Sequence, residues 1–488
     1  MQKPLADEQF QQKTSMLPRD QPTGFHSWLW LAIAAVLLLF SNGATTIPLA
    51  AWLAPVFLLR FVRGHSLKVG LPLAFILEVG ALTLQFRGML PIPGIGYYIF
   101  LIVWGIPLVL PYVIDRLIAH KLSGLRASLV FPTAWVVTEY VASHGPYGSW
   151  GSIAYSQYGN LPLLQILSVT GLWGIAFLIG WFAAVCNWLW EEELGSVHAR
   201  RGACLCFGTI ATVMLLGGAR LAFFPPSSPT VRVASIFARQ VTPLPSAETT
   251  DNDLLARSEQ EMQAGARIVF WSEANAEVLK KDEAGFVARG GDLAAKYHAY
   301  LGIALVVHDE GMNPSVENKL ILIKPDGHVA WEYNKVRPLP GDNQILGDGK
   351  LRVLDTPYGR LTSVICFDGD FPQVLAQAGA LKADVLLDPS HDWRAIDPWH
   401  TQMASFRAIE QGVNLIRQTS YGLSAAFDYQ GHRLAAMDYF QSAGNAMVTQ
   451  VLTRGVRTVY SRLGNWFAWL CLAALAVLTA LSLCKRTV

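Results

Sequence analysis

Apolar and polar positions divide this chain into zones. Up to about residue 225, apolar runs follow one another with only short polar breaks. Each is roughly 18–20 residues long, the length a helix needs to cross a bilayer. They predict membrane helices near 27–43, 46–62, 68–86, 97–115, 125–143, 162–189 and 203–224, with one more near 464–484, about eight in all. Between 229 and 462 the pattern changes. Short runs rich in Val, Ile and Leu ("TVRVASIF", "ARIVFWSE", "YLGIALVVHD", "KLILIKPDG", "LTSVICF", "ADVLLDPS", "VNLIRQTS", "AMVTQVL") alternate with helical stretches such as "NDLLARSEQEMQAG", "GGDLAAKYHA" and "HTQMASFRAIEQG". Unbroken apolar strands with helices between them predict buried sheets covered by helices, an α/β domain. "KPDGHVAWEYNK" places a turn at Pro325, Asp326 and Gly327 between two hairpin strands.

Charge supports this division and orients it. Only 15% of the 488 residues are charged and 52% are hydrophobic, whereas a soluble domain carries about a quarter charged residues. Lys3, Lys13 and Arg19 precede the first run, and Arg60, Arg63 and Lys68 follow the second. Arg116, Lys121 and Arg126 follow the fourth, Arg200 and Arg201 the sixth, and Lys485 and Arg486 end the chain. Every alternate connection is basic, so the positive-inside rule places both termini in the cytoplasm and 229–462 outside. The expected organisation is a cytoplasmic tail (1–26), a membrane part (27–225), an extracytoplasmic α/β domain (229–462) and a closing membrane helix (464–484). The tail is too polar and too long for a cleaved signal peptide. The net charge of +2, without a basic run interleaved with aromatics, gives no reason to expect a nucleic-acid partner.

Five of the six cysteines (Cys186, Cys204, Cys206, Cys471 and Cys484) lie in or beside apolar runs, and Cys366 alone lies in the α/β domain. Three polar residues end strand-like runs there: Glu273 after "IVFWS", Lys335 after "VAWEYN" and Cys366 after "LTSVI". Two readings of the trio are open. Either they converge at one rim of the sheet, a carboxylate taking the proton of a thiol nucleophile beside a lysine that stabilises an oxyanion. Or they are a surface Glu, a surface Lys and a core Cys with no common role.

The order Glu, Lys, Cys in "VFWSEANAEV", "EYNKVRPLPGD" and "VICFDGDFP" resembles the carbon–nitrogen hydrolase (nitrilase) superfamily, as does "LLDPSHDWRAIDPWHTQMASFRAIEQGVNLIRQTSYGLSAAFDYQGH". The membrane runs around the domain, with "FPTAWVVTEY" and "GSWGSIAYSQYGN", resemble one branch of it, the bacterial apolipoprotein N-acyltransferases. The resemblance implies an αββα sandwich attached to a helical membrane bundle in the bacterial inner membrane. It implies Glu273 as general base, Lys335 as oxyanion stabiliser and Cys366 as nucleophile, with the Phe367 N–H as a second oxyanion donor. The implied reaction moves an acyl chain from a phospholipid through a Cys366 thioester to the N-terminal amine of a diacylglyceryl-cysteine lipoprotein, with no metal or diffusible cofactor. An alternative keeps the fold and the triad for a membrane-tethered amidase, or for another amine acceptor. That alternative stays open because Asp342 stands where the family has a glutamate, Phe367–Asp368 follows the cysteine, and the Lys335–Cys366 segment is short for this branch.

Further expectations concern the surroundings. Trp150, Tyr155 and Gln157 line a path for lipid, or simply anchor the membrane interface, where Trp and Tyr sit at headgroup depth. Asp368 and Asp370 cap a helix starting at Pro372. Glu139 hydrogen-bonds to a neighbouring loop, and His391, Asp392 and His400 are polar residues near the pocket rather than a metal set.

Overall fold

The computed structural model describes residues 25–192, 196–238, 246–309 and 311–484. The expected tail up to residue 24, and Lys485 and Arg486, lie outside the described residues. Among these residues, 5 helices are long and apolar enough to cross a membrane: Leu67–Gln85, Ile95–Lys121, Leu172–Glu191, Val197–Phe223 and Trp466–Cys484. Phe25–Leu38, Pro48–Gly64 and Val130–Ala142 fall on further expected runs but are shorter. Two expected spans are broken where hydropathy alone sees no break. The run at 162–189 splits at Gly171, whose φ of 65° separates the short helix Leu167–Thr170 from Leu172–Glu191. That at 125–143 splits between Gly124–Ser128 and Val130–Ala142. Outward-facing Ile76, Leu84, Val103, Leu215 and Val477 are exposed, an arrangement that suits hydrocarbon surroundings and is costly in water.

The α/β part consists of two sheets packed face to face. One orders β13 (Ala446–Leu452), β1 (Thr230–Ile236), β2 (Ile268–Trp271), β4 (Tyr300–His308), β5 (Val316–Ile323) and β6 (Val329–Asn334), with β3 (Ala276–Leu279) also on β4. The other orders β12 (Arg433–Asp438), β11 (Leu423–Phe427), β10 (Asn414–Ser420), β9 (Val385–His391), β8 (Gly359–Ser363) and β7 (Val353–Thr356). Helices Ala247–Gln263 and Lys280–Tyr297 cover the first sheet, and Pro372–Ala380 and Trp399–Gln411 the second, giving the expected αββα layers. β9 and β10 are buried along nearly their whole length, as parallel strands covered on both faces must be.

The two parts of the chain meet along a polar seam. Helix Trp399–Gln411 is buried on every side because it lies between the second sheet and the membrane helices. Its Arg407 donates to Glu410 (2.5 Å), to the Gly369 carbonyl (3.1 Å), to Ser149 Oγ (2.5 Å) and to Tyr155 Oη. Glu410 in turn accepts the backbone N–H of Leu172 (2.9 Å), at the start of helix Leu172–Glu191, where a carboxylate also meets the positive end of the helix dipole. Removing one partner of a buried ion pair strands the other charge. Glu410→Ala is therefore expected to destabilise the protein by about 3–5 kcal/mol, with Glu410→Gln losing less. Thermal unfolding in detergent checks this, and an unchanged midpoint for Glu410→Ala refutes it.

Candidate active site

Glu273 lies in a deliberate interruption of the first sheet. β2 and β3 both pair in parallel with β4, but the step from Phe270 to Ala276 covers only Gly302 to Leu305 on that strand. The chain bulges at Ser272–Asn275, and Ala274 adopts a φ of 54°. The bulge is tied across the sandwich, since Ser272 Oγ and Ser420 Oγ are 2.8 Å apart and Asn275 Oδ1 accepts from Ser272 (2.5 Å). Lys335 follows β6, whose register against β5 puts it beside Asn318. The Lys335 N–H donates to the Asn318 carbonyl at 2.8 Å.

The side chains then meet. Lys335 Nζ donates to Glu273 Oε1 at 2.6 Å and Asn318 Nδ2 to the same oxygen at 2.7 Å, while the His391 N–H donates to Oε2 at 3.1 Å. Glu273, Lys335 and Cys366 are 4, 4 and 5% exposed. Burial would raise the Glu273 carboxyl, but the Lys335 charge and the hydrogen bonds from Lys335 and Asn318 outweigh it and hold the group below its ordinary range. Lys335 moves above its ordinary value: burial opposes the shift, and the charges of Glu273 and Cys366 overcome it. Burial pushes the Cys366 thiol well up and Glu273 adds to the rise, with Lys335 and Arg417 pulling back only in part. The resting site is thus a carboxylate–ammonium pair beside a neutral thiol.

Cys366 opens a short 3-10 turn, Cys366–Asp370, with a φ of 50°. Its own N–H donates to Asp388 Oδ1 (3.0 Å), and Arg417 holds the other oxygen of Asp388 (2.8 Å). Arg417 and Asp388 stand opposite each other in the parallel β9–β10 register. Cys366, Asp392 and His400 bring ligand atoms within 4.8 Å of one another, a donor set that suits a metal. Arg417 sits among them, 2.9 Å from Asp392 Oδ1 and 4.0 Å from Cys366 Sγ, and a guanidinium there opposes a second cation. His400 bridges Asp392 (2.8 Å) and Asp370 (3.1 Å).

The supporting residues separate sharply. Asp368 is fully buried and accepts from Tyr333 Oη (2.8 Å) and from the backbone N–H groups of Ile365 (3.2 Å), Val336 (3.1 Å) and Arg337 (2.7 Å). It therefore clamps the Lys335 segment to the nucleophile turn. Burial pushes its carboxyl up to about 6 against the opposing pull of Lys335 and these donors. It does not cap the following helix. Pro372 opens that helix at the expected position, but its N-cap is Phe371 and no side chain caps it, because Asp368 and Asp370 are engaged elsewhere. Asp342 is exposed on the coil after Lys335, where its N–H donates to the Leu339 carbonyl (3.0 Å). Phe367 is buried in the turn with its ring 6.0 Å from that of Tyr147.

Trp150, Tyr155 and Gln157, expected at a lipid path or at the membrane interface, are buried. Gln157 accepts from Trp52 Nε1 (3.0 Å), and the Trp150 ring meets the edge of His400 at 5.1 Å. The apolar cavity on the membrane side, about 310 Å³, is lined instead by residues such as Phe100, Trp104, Trp135, Tyr147 and Trp173. Glu139 holds the loop beside that cavity as expected, accepting from Ser152 Oγ (2.8 Å) and the Ile153 N–H (3.1 Å). Asn318, Asp388, Arg417 and Arg407 escaped the reading of the sequence. Charges inside "VLLDPS" and "VNLIRQTS", strands otherwise apolar, were the available signal for two of them.

Comparison with known proteins assigns the chain to a family. The profile of the carbon–nitrogen hydrolase family matches residues 209–455. The chain belongs to that family. The profile of the apolipoprotein N-acyltransferase N-terminal domain matches residues 21–185. The chain is 26% identical to the apolipoprotein N-acyltransferase of Geobacter metallireducens, over 94% of this chain and 96% of that one. It is 24% identical to apolipoprotein N-acyltransferase 2 of Treponema pallidum, over 90% and 92%. Within the carbon–nitrogen hydrolases it therefore falls in the apolipoprotein N-acyltransferase branch. Among solved structures, an amidase from Nesterenkonia sp. is matched with a TM-score of 0.39 and 18% identity, over 47% of this chain and 93% of that one.

The clamp predicts unequal effects for the two aspartates. Asp368→Ala strands a phenol and three N–H groups, each costing about 1–3 kcal/mol when unsatisfied, and is expected to lower both thermal stability and Cys366 reactivity. Asp342→Asn is expected to change stability by no more than about 0.5 kcal/mol. Equal effects of the two in thermal unfolding would contradict the clamp.

Proposed function

We propose that this protein transfers an acyl chain from a phospholipid, through a thioester on Cys366, to the N-terminal amine of a diacylglyceryl-cysteine lipoprotein. The observation that carries the reading is the buried Lys335–Glu273 pair at 2.6 Å beside a thiol whose turn rests on the membrane part. In the first half-reaction Glu273 takes the Cys366 proton as the sulfur attacks the ester carbonyl of the lipid. Lys335, relieved of its carboxylate partner by that proton, stabilises the oxyanion together with the Phe367 N–H. Collapse breaks the ester C–O bond, and Glu273 returns the proton to the departing lysophospholipid. In the second half-reaction the acceptor amine attacks the thioester, Glu273 takes the amine's proton, and Cys366 leaves as the amide forms.

Location supports a lipid donor. The apolar cavity is lined by Tyr147, Gly148 and Ser149, and the same three residues touch the nucleophile turn. Tyr147 faces Phe367, Gly148 leaves no room for a Cβ against the Asp370 carbonyl, and Ser149 donates to that carbonyl from its N–H (2.9 Å) and its hydroxyl (2.7 Å). The alternating basic connections support a bacterial inner-membrane protein with cytoplasmic termini and an extracytoplasmic α/β domain.

Intact mass spectrometry of the protein incubated with phospholipid in detergent tests the proposal. The expected result is a gain of one acyl chain that is hydroxylamine-sensitive, absent in Cys366→Ala, and lost when a diacylglyceryl lipopeptide is added. Ammonia release from amides without any lipid adduct would favour the amidase alternative. Because Glu273 is held below its ordinary range and the thiol well above its own, acylation is expected to be flat between about pH 7 and 8 and to fall as Asp368 is protonated at about 6. A free thiol would instead give a rise towards about 8.5. Glu273→Gln is expected to slow acylation by about 10²–10⁴-fold, and a rate within tenfold of wild type would remove Glu273 as the base.

A further inference from the structure

A second cavity, of about 640 Å³, lies on the other flank of the seam, where helix Val197–Phe223 ends against the α/β part. Arg220 and Arg457 both line it, and none of its lining residues is acidic. Arg220 donates from Nη1 to Ser168 Oγ at 2.8 Å, its one hydrogen bond among the described residues, which leaves the rest of its guanidinium towards the cavity. Arg457 is exposed and forms no ion pair or hydrogen bond among the described residues. The nearby carboxylate, Asp428, is already occupied by the N–H groups of Gln430 (2.8 Å) and His432 (3.0 Å) and by the His432 ring (2.9 Å). Two guanidiniums facing one space repel each other unless an anion lies between them.

The rest of the lining says which kind of anion. Phe223 and Phe224, 76 and 72% exposed, border the cavity at the end of a membrane helix, and Val459 continues the apolar edge. A site that is cationic at its centre and bare aromatic at its membrane edge matches a phospholipid: arginines for the phosphate, apolar rings for the start of the acyl chains. The volume falls in the range of sites that hold a small molecule or a headgroup. We propose that this cavity binds the phosphate of an anionic phospholipid, with Arg220 and Arg457 as its ligands, separately from the acyl donor at Cys366. Such a lipid would brace the seam, because Thr458 in the cavity wall donates to the Glu410 carbonyl (2.6 Å) and Gln430 donates to the Phe224 carbonyl (2.7 Å).

Native mass spectrometry of the full-length protein, titrated with phosphatidylglycerol in detergent, tests the site. Arg457→Gln touches no packed group, and it is expected to weaken the tightest-bound lipid about fivefold while leaving Cys366 acylation unchanged. Arg220→Gln is expected to weaken that lipid at least as much. Millimolar inorganic phosphate is expected not to displace it. The same lipid retention in wild type and Arg457→Gln would overturn the proposal. Displacement by inorganic phosphate would overturn the lipid assignment and leave a site for free phosphate. A parallel loss of acylation in Arg457→Gln would overturn its separation from the donor site.

Discussion

The nucleophile turn has no sheet to complete its hydrogen bonds, and this constraint organises the molecule. Residues Cys366–Asp370 leave the β8 strand for a 3-10 turn, so the carbonyls of Gly369 and Asp370 need donors from elsewhere. Arg407 supplies one, and Ser149, from the membrane part, supplies the N–H and hydroxyl for the other. Arg407 is a costly donor to bury, and Glu410 offsets that cost while closing the N-terminus of helix Leu172–Glu191. The same few side chains thus shape the turn that carries the sulfur and fix the α/β part to the helices below it. A site built this way is complete only where the two parts of the chain meet.

The charges above that floor are arranged so that each group is ready for one step. Glu273 has three donors and is held ionised, Lys335 is held charged by it, and burial keeps the Cys366 thiol protonated. A thiolate would repel the carboxylate beside it, so the negative charge rests on Glu273. Arg417 contributes from the other side twice, through Asp388, which receives the Cys366 N–H and so fixes the sulfur's backbone, and through its own charge 4.0 Å from the sulfur, which lowers the thiol in part.

How much of this was legible in the sequence depended on whether a residue's role is local. Strands rich in Val, Ile and Leu announced the sheets, and the first ionisable group after three of them gave Glu273, Lys335 and Cys366. Arg417 and Asp388 pair only because β9 and β10 are parallel in one register, and no short window of sequence contains that register. Asp342 and Asp368 show the same limit from the other direction. Motif order favoured both, but a two-carbon acid on an exposed coil and one buried under four donors differ only in the fold around them. Trp150, Tyr155 and Gln157 have the composition of a membrane interface, yet Trp150 and Tyr155 pack against His400 and Phe406 of the α/β part, while Gln157 is buried against Trp52 within the membrane part. The break at Gly171 was invisible to hydropathy because glycine interrupts the helix through its backbone angle rather than its polarity.

Backbone strain follows the same geography. Ala274, Cys366 and Tyr421 hold positive φ angles at this one rim, while the two other non-glycine residues that do so among the described residues, His298 and Lys382, stand at helix ends. Conformations of this kind cost about 1–3 kcal/mol each and persist only where their neighbours over-determine them. Here the bulge at Ala274 is pinned by Ser272 and Asn275, Cys366 by Asp388, and Tyr421 by stacking on Tyr439 at 4.6 Å. All of these restraints come from the chain itself, so Glu273, Lys335 and Cys366 are held in place by the fold alone. The apolar cavity of the membrane part lies against this preformed rim, with Tyr147 and Ser149 both lining the cavity and touching the turn.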